Sequence, residues 1–352
     1  MNKQTMKAVT VYGPHDARME DVPKPQATGD MIVMKVCRTG VCATDLSIYS
    51  GESSFIRSGE ITYPCRFGHE WAGIVESVGP DVKDFKPGDR VYTDNFASCG
   101  VCDACRRGDY MACKDTRSVG TIKCWDGCFA EYMQMPERHT FHLPDELSMD
   151  EGALIEPASI SYDAFKGVTL TEKDTAVVYG TGAIGMISVW LAKYYGAGHV
   201  ILVGRTDEKL ARGYEIGADF VINNRREDAV SRIKELTGGE GASFFVETSG
   251  AGSALRDCIL AAKRYARISI LSFYEKDLDG LPIDPLVHGC LKLVGGAGCY
   301  GNAPAVCEIM RKNPVKLTPC ISHHVPFAQA MDVFVNEDKY HKEKIKIMID
   351  FD

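Results

Sequence analysis

The sequence predicts an α/β fold of two domains, in which a β-rich, barrel-like domain precedes a doubly wound parallel sheet. The chain has 352 residues, enough for two domains of about 150 residues each. Its first 155 residues carry short apolar runs between glycine and proline turns, whereas strands and helices alternate from residue 175 onward. We expect the tail to return to the first domain, which gives domains of residues 1–157 with 300–352, and 158–299.

Composition places the chain among ordinary folded proteins. Hydrophobic residues make up 45%, charged residues 25%, and the net charge is −8, so extensive disorder and an electrostatic grip on nucleic acid or anionic membrane are disfavoured. No apolar run approaches the ~20 residues of a membrane-spanning helix. The first residues lead into no signal-like apolar segment. These features predict a cytoplasmic protein with a small-molecule partner.

The strands of the first domain are predicted from apolar runs at residues 6–11, 31–36, 71–78, 89–92 and 129–133. Turn signals separate these runs. The short and frequent spacing favours a compact, partly open barrel over a parallel sheet.

The second domain is predicted from alternating strands and helices, which imply a parallel sheet covered on both faces. The predicted strands are 175–179, 200–203, 220–222, 244–247 and 267–272, and the predicted helices are 186–195, 207–216 and 254–263. The tail adds a helix at 303–312, a loop with His323 and His324, a helix near 328–336 and a last strand at 344–351.

Four cysteines form the most specific motif of the chain. They fall within fifteen residues, at Cys99, Cys102, Cys105 and Cys113, and in a reducing compartment such a cluster holds metal more often than disulfides. Four thiolates close a tetrahedral zinc site and leave no position for water, so the metal is expected to be structural, in a lobe of about residues 95–115. An iron–sulfur cluster and four ordinary buried thiols are the alternatives.

The motif Gly180-x-Gly182-x-x-Gly185 follows a predicted strand and opens a predicted helix. In that context the glycines allow a tight turn and a close approach of the backbone to a pyrophosphate, and the helix N-terminus, with Ala183 and Ile184, favours the phosphates. The motif therefore predicts dinucleotide binding. The alternative is a glycine-rich turn in some other α/β protein.

The residues after the second strand of this domain predict the choice of dinucleotide. A NAD site places an acidic residue about 20 residues beyond the glycine turn, but here that position is Gly204, followed by Arg205 and Thr206, with Lys209 one helical turn later. A guanidinium suits a 2′-phosphate. We predict NADP(H). The alternative is NAD(H), with Arg205 stacked on adenine or facing solvent.

A sparser set is formed by Cys42, His69, Glu70 and Glu156. A thiolate, an imidazole and a carboxylate can hold zinc and leave its fourth position open, as a catalytic zinc requires. Taken singly, Cys42 and His69 would more often be plain core residues.

Together these motifs resemble the zinc-dependent medium-chain dehydrogenase/reductase family, and most closely its sorbitol (polyol) dehydrogenase branch. The resemblance covers essentially the whole chain and rests on Gly40-Val-Cys42-Ala-Thr44-Asp45, Gly68-His69-Glu70, the four cysteines, Gly127-Cys-Phe-Ala-Glu131-Tyr132, Glu156-Pro157 and the glycine turn. It implies a GroES-like barrel that receives the tail, a Rossmann domain, and two zinc ions per chain, one catalytic and one structural.

The resemblance also implies a ligand set for the catalytic zinc. Cys42 and His69 match two ligands, and the third is Glu70 or Glu156. Many alcohol dehydrogenases carry cysteine at the last position, so Glu156 favours the polyol-like and threonine dehydrogenase-like branches.

Proton transfer is implied for Thr44, which matches a residue that bonds the substrate oxygen. Asp45 is implied to orient His69, or it caps the following helix. Ser47 stands where many relatives have histidine, so the proton route is shortened or runs through water and a glutamate.

The implied function is hydride transfer between NADP(H) and a secondary alcohol or ketone of a polyol, sugar alcohol or cyclitol. The alternatives are a threonine-type amino-alcohol dehydrogenase and a non-enzymatic nucleotide-binding protein on the same scaffold. A homo-oligomer is expected, either a tetramer or a dimer. Residues 50–63 are expected to line the pocket, with Arg57 facing solvent, and Lys344 matches a basic residue near the cofactor.

Overall fold

A computed structural model of the chain describes residues 4–275, 277–296 and 301–351. The strands are β1 Thr5–Gly13, β2 Asp16–Pro23, β3 Met31–Val41, β4 Cys65–Arg66, β5 Glu70–Val78, β6 Arg90–Thr93, β7 Phe96–Ala97, β8 Arg117–Ser118, β9 Tyr132–Pro136, β10 Thr140–His142, β11 Thr175–Tyr179, β12 His199–Gly204, β13 Phe220–Asn223, β14 Ala242–Glu247, β15 Ala262–Ile270, β16 Lys292–Gly295, β17 Ile321–Pro326 and β18 Lys346–Asp350. The helices are α1 Ala43–Ser50, α2 Ser54–Arg57, α3 Asp103–Arg106, α4 Met149–Asp163, α5 Ala183–Tyr194, α6 Asp207–Ile216, α7 Ala229–Leu236, α8 Gly252–Ala261, α9 Ile283–His288, α10 Ala303–Lys312 and α11 Ala330–Val335. Within these described ranges, no helix combines the length and the apolar character needed to cross a membrane.

The first domain is built on a seven-stranded sheet that mixes early and late segments of the chain. Strand β3 pairs with β5 and β9, and also with β18 from the tail, which in turn pairs with β17. The register opposes Gly40 to Glu70 and Val41 to Ile347. The end of β3, the beginning of β5 and the last strand therefore meet at one place.

The second domain is a six-stranded parallel sheet with the order β13-β12-β11-β14-β15-β16. All of its described pairings are parallel. This is the order 3-2-1-4-5-6 of a doubly wound dinucleotide-binding sheet, and it confirms the predicted fold class. The direction of winding changes between β11 and β14, so the carboxyl ends of these strands open the crevice in which such folds bind ligands.

Helix α4 connects the two domains, and the predicted boundary at residue 157 falls inside it. Its N-terminus has a capping box, in which the hydroxyl of Ser148 accepts the N–H of Glu151 and the Glu151 side chain accepts the N–H of Ser148. This reciprocal pair satisfies two N–H groups that the helix leaves free. The boundary predicted at residues 299 and 300 lies outside the described residues.

The prediction of a loop at His323 and His324 is wrong, because both residues lie on β17, where the parallel pairing with β18 extends the backbone. The Nδ1 of His324 lies 2.9 Å from Asp350 Oδ1. The guanidinium of Arg38 contacts Asp350 at 3.3 Å and Asp150 at 2.9 Å. The partly exposed carboxylates of Asp150 and Asp350 are therefore balanced by the positive charge of Arg38.

Candidate active site

Cys42 and His69 come together because the strands that carry them are neighbours. Cys42 follows the end of β3 and is the N-cap of α1, while His69 precedes β5, which pairs with β3 through Gly40 and Glu70. One ligand atom of each of Cys42, His69 and Glu70 lies within 4.8 Å of the other two. Residues 27 positions apart along the chain are thus assembled into one donor set by strand pairing.

Asp45 caps α1 and lies beside His69. Its Oδ2 accepts the backbone N–H of Cys42 at 2.9 Å and so caps α1. Its Oδ1 lies 3.5 Å from Nδ1 of His69, and both of these atoms are buried without a hydrogen-bond partner. Burial lowers the pKa of His69, but the Asp45 carboxylate and the Cys42 thiol outweigh it and raise this pKa well above its ordinary value. The ring therefore turns Nδ1 toward Asp45, and the orienting role of Asp45 stays a prediction.

Glu70 is held by a buried lysine from the other end of the chain. The Nζ of Lys346, on β18, donates to the two carboxylate oxygens of Glu70 at 2.7 and 2.5 Å and to the carbonyl oxygen of Val41 at 3.1 Å. Both side chains are almost wholly buried. Gly40 makes room for this pair, because a Cβ atom there would lie 2.1 Å from Glu70 Oε2.

Glu156 lies on α4, beside this set but not within it. Its Oε1 accepts the side-chain N–H of Asn95 at 2.8 Å, and the residue is buried. Burial and the nearby Glu70 carboxylate raise the pKa of Glu156 to about 7, although His69 and Lys346 act in the opposite direction. The two candidate third ligands thus differ: a lysine engages both oxygens of Glu70, and a neutral amide engages one oxygen of Glu156.

The four-cysteine lobe has the dimensions of a tetrahedral thiolate site. The sulfur atoms of Cys99, Cys102, Cys105 and Cys113 form one group within 4.8 Å, with Sγ–Sγ distances of 3.5 Å for Cys102 and Cys105 and 3.9 Å for Cys99 and Cys105. Zinc–sulfur bonds of about 2.3 Å in a tetrahedron imply about 3.8 Å between sulfurs. Burial raises the pKa of Cys113, but the backbone N–H groups of Cys99 and Asp115 lower it to about 6.

Both donor sets fit zinc by their chemistry. Four thiols suit a closed structural site, and a thiol, an imidazole and a carboxylate suit an open one. The facing atoms Asp45 Oδ1 and His69 Nδ1 are buried without a hydrogen-bond partner and lie 3.5 Å apart. The described residues therefore include two candidate metal-binding groups of different composition.

The glycine turn forms the entry to α5. Gly182 is the N-cap of this helix and provides no side-chain cap, so the N–H groups of Ala183, Ile184 and Gly185 are free to face a phosphate. A Cβ atom at Gly185 would lie 1.9 Å from the carbonyl oxygen of Gly180. The turn therefore requires glycine at this position and leaves its N–H groups available to a dinucleotide.

The predicted nucleotide-selecting residues lie at the end of β12 and the start of α6. Gly204 ends the strand, Thr206 is the N-cap of the helix, and Arg205 is exposed between them. Within the described part of the chain, Arg205 makes no hydrogen bond or ion pair. Lys209 is half-buried, and burial followed by the positive charge of Lys344 lowers its pKa.

A short segment after α1 connects the two domains across the crevice. The Arg57 guanidinium, expected to face solvent, contacts Glu275 Oε2 at 3.0 Å, and the same oxygen accepts the N–H of Ser54 at 3.0 Å. The rings of Phe55 and Phe273 pack edge to face with centroids 5.3 Å apart. Arg57 is exposed, as expected, and its partner comes from a loop 218 residues later, which the sequence did not predict.

Comparison with known proteins agrees with this geometry. The family profile "Alcohol dehydrogenase GroES-like domain" matches residues 28–145, and "Zinc-binding dehydrogenase" matches residues 183–311. The L-threonine 3-dehydrogenase of Pyrococcus abyssi is 32% identical over 90% of this chain and 90% of its own length. The chain belongs to the zinc-dependent medium-chain dehydrogenase/reductase family.

Two further relatives cover nearly the whole chain of this dehydrogenase. The sorbitol dehydrogenase of Bacillus subtilis is 29% identical over 98% of this chain and 97% of its own. The crystal structure of a putative zinc-binding dehydrogenase from Sinorhizobium meliloti bound to NADP superposes with a TM-score of 0.89, 26% identity, and coverage of 99% and 100%. Together with the family profiles, these matches confirm an oxidoreductase of the zinc-type alcohol dehydrogenases, near the polyol branch.

Three residues of the site were not predicted from the sequence: Lys346, Asn95 and Glu275. None of them belongs to a recognisable motif. Lys344, the basic residue predicted near the cofactor, pairs with Glu337 at 2.6 Å, and after burial its charge lowers the pKa of Lys209; its position near the cofactor stays a prediction. No alternation marks Lys346 either, because the residues of β18 from Lys346 to Ile349 are all buried.

Proposed function

We propose that this protein is an NADP(H)-dependent, zinc-dependent dehydrogenase that oxidises a secondary alcohol of a polyol, sugar alcohol or cyclitol, or reduces the matching ketone. The convergence of Cys42, His69 and Glu70 carries this proposal, because these donors lie within 4.8 Å of one another. The same chain supplies a dinucleotide-type sheet with a glycine turn at its crevice. Metal donors and nucleotide fold are the two parts that such a reaction requires.

The catalytic metal is proposed at Cys42 and His69, with Glu70 or Glu156 as the third protein ligand. When bound, zinc supplies Lewis acidity toward an alcohol or carbonyl oxygen, and the nicotinamide supplies hydride chemistry. Asp45 fixes the ring of His69, and Lys346 balances the charge of Glu70. The second zinc of the chain is proposed at the four cysteines.

Thr44 is proposed to bond the substrate oxygen and to hold its proton. It is half-buried in the first turn of α1, two residues after Cys42. Ser47 follows on the same helix but donates its hydroxyl to the carbonyl oxygen of Thr44 at 2.9 Å. Because that hydroxyl is engaged by the backbone, the onward proton route is proposed through water and Glu70 or Glu156.

The nucleotide preference rests on Gly204, Arg205, Thr206 and Lys209. No acidic side chain stands at Gly204 to bond the ribose hydroxyls, as NAD sites use. Arg205 is exposed and unpaired within the described chain, and Lys209 follows one turn later. Both cations suit a 2′-phosphate.

A threonine-type amino-alcohol dehydrogenase is the second candidate. It is favoured by the 32% identity to an L-threonine 3-dehydrogenase, and it shares the glutamates that correspond to Glu70 and Glu156. The polyol reading is preferred because the residues at the end of β12 favour NADP(H), whereas most threonine dehydrogenases use NAD.

A homo-oligomer, most simply a tetramer or a dimer, is part of the proposal. Strand β16 is the terminal strand of the six-stranded sheet. Apolar side chains of this strand and of α9 are exposed beside it, namely Leu293, Ile283 and Val287. Such a patch on a sheet edge suits a second copy of the chain. A cytoplasmic location is proposed because the four-cysteine site requires reduced thiols.

One set of measurements tests the proposal. Zinc is counted by mass spectrometry on purified protein, and absorbance at the nicotinamide wavelength is followed with NADP or NAD over sugar alcohols, cyclitols and L-threonine. We expect about two zinc ions per chain and faster turnover of a polyol with NADP. Equal or faster use of NAD contradicts the nucleotide assignment, preference for L-threonine supports the second candidate, and fewer than two zinc ions with no turnover favours a non-enzymatic protein.

A further inference from the structure

A carboxylate does stand near the nucleotide-selecting residues, but it is occupied. Asp207 is the first residue of α6, three positions beyond Gly204. Its Oδ1 accepts the side-chain N–H of Asn223 at 2.6 Å, and its Oδ2 forms an ion pair with the guanidinium of Arg226. Both partners belong to the end of β13 and the turn that follows it.

The turn after β13 is fixed against the end of β12, which keeps Arg226 in place. The backbone N–H of Asn224 donates to the carbonyl oxygen of Gly204 at 3.0 Å. The side-chain oxygen of Asn223 accepts the N–H of Arg225 at 3.1 Å. Asn223 therefore bonds Asp207 with one end of its amide and closes the turn with the other.

The neighbouring carboxylate is neutralised in the same way. Glu208 pairs with Lys342 at 2.9 Å, and Lys342 and then Arg226 lower its pKa. Two carboxylates thus face two engaged cations, while Arg205 and Lys209 have no anionic partner within the described residues. The corner at the end of β12 consequently carries a surplus of positive charge.

We propose that Arg226 and Asn223 are specificity-determining residues that disable Asp207. A free carboxylate at this corner would accept hydrogen bonds from ribose hydroxyls and would repel a 2′-phosphate. Because an amide and a guanidinium hold Asp207, its carboxylate neither bonds the ribose hydroxyls nor repels the 2′-phosphate. Arg205 and Lys209 remain available to the phosphate. This inference rests on the proposed NADP(H) preference. It adds that residues at the end of β13 and in the turn after it contribute to that preference.

Binding of two nucleotide fragments to the full-length, zinc-loaded protein tests the inference without turnover. Adenosine 2′,5′-bisphosphate carries the 2′-phosphate and 5′-AMP lacks it, and both affinities are measured by calorimetry. For Arg226→Ala we expect the bisphosphate to bind about 3- to 10-fold more weakly, because the Asp207 charge is released. The affinity for 5′-AMP should change by less than about 2-fold.

A double variant separates neutralisation from direct contact with the phosphate. In Arg226→Ala/Asp207→Asn the carboxylate is gone, so affinity for the bisphosphate should return to near the wild-type value. If it stays as low as in Arg226→Ala, the arginine acts on the phosphate itself and the inference is overturned. The matched control is Arg232→Ala, which removes an exposed arginine paired with Glu235 on the next helix and should change neither affinity.

Two different results contradict the NADP(H) preference and the role of Arg226. If wild-type protein binds both fragments equally, the NADP(H) proposal falls and takes this inference with it. If wild-type protein prefers the bisphosphate but Arg226→Ala preserves that preference, only the role of Arg226 and Asn223 is refuted.

Discussion

The four-cysteine lobe takes all of its donors from fifteen consecutive residues, 99–113, whereas the Cys42 site is assembled from β3, β5, α4 and β18. In the lobe, the donors are four thiols at tetrahedral spacing and are joined by short turns. In the Cys42 site, the donors are of different types, His69 and Glu70 are buried, and their partners come from distant segments. The comparison shows that a short stretch of sequence can contain all the donors of a closed metal site. An open site needs donors and charged partners that only the fold brings together.

Substitution of Cys42 tests the difference between the two donor sets most directly. For Cys42→Ser we expect a loss on the order of 10³-fold or more in kcat/KM, because the Lewis acid loses a ligand. Zinc content should fall from about two to about one per chain. The control is Cys37→Ser, five residues earlier on β3 and outside both donor sets, which should keep both values. Activity that survives Cys42→Ser would contradict the assignment of the catalytic metal.

The buried pair of Lys346 and Glu70 tests the claim that distant charges support the open site. Lys346→Met leaves a buried carboxylate without its counter-charge, which should lower the free energy of unfolding by about 3–5 kcal/mol. Adding Glu70→Gln should restore part of this loss. The measurement is urea unfolding followed by fluorescence.

The control for that experiment is Lys344→Met, which removes a partly exposed lysine paired with Glu337. It should cost no more than about 1 kcal/mol. If Lys346→Met were equally mild, water would be compensating Glu70 and the pair would not support the site.

Substitutions in the four-cysteine lobe should lower the stability of the protein and leave the rate of catalysis nearly unchanged. Cys102→Ser removes one of four thiolates, so zinc content should fall to about one per chain and the thermal midpoint by about 5–10 °C. The remaining folded protein should keep kcat within about 3-fold, since the lobe leaves no open position for substrate. Cys290→Ser, an exposed cysteine outside the lobe, is the control. A large loss of kcat at unchanged midpoint would show that the lobe takes part in turnover.

The smallest effect is expected at the contact between Arg57 and Glu275. This half-exposed ion pair spans the crevice, so Arg57→Ala and Glu275→Ala should each change KM for the nucleotide by about 2- to 5-fold, with a coupling of about 0.2–1 kcal/mol. Zinc content should not change. A double-mutant cycle on KM measures the coupling; strictly additive effects would mean that the two side chains act separately.

Contiguous signals accounted for most of the fold. The helix over Asp207–Ile216, with Gly217 in the left-handed conformation after it, and the strand Thr175–Tyr179 lie where the sequence predicts them. Helix α4 was missed although Ser148 and Glu151 have the spacing of a capping box. The strand through His323 was missed because its pairing with β18 is a tertiary property.

The sequence by itself determined the features whose chemistry lies in neighbouring residues: the glycine turn, the four cysteines and the absence of a carboxylate at Gly204. It also identified Cys42, His69 and the two glutamates, through the resemblance of the motifs around them. Only the tertiary structure decided which residues compensate the charges of these groups. Lys346 meets Glu70 across 276 residues, and Arg226 meets Asp207 across neighbouring strands. The physical reason is that charge compensation depends on distance in space, and strand register fixes that distance without leaving a local pattern in the sequence.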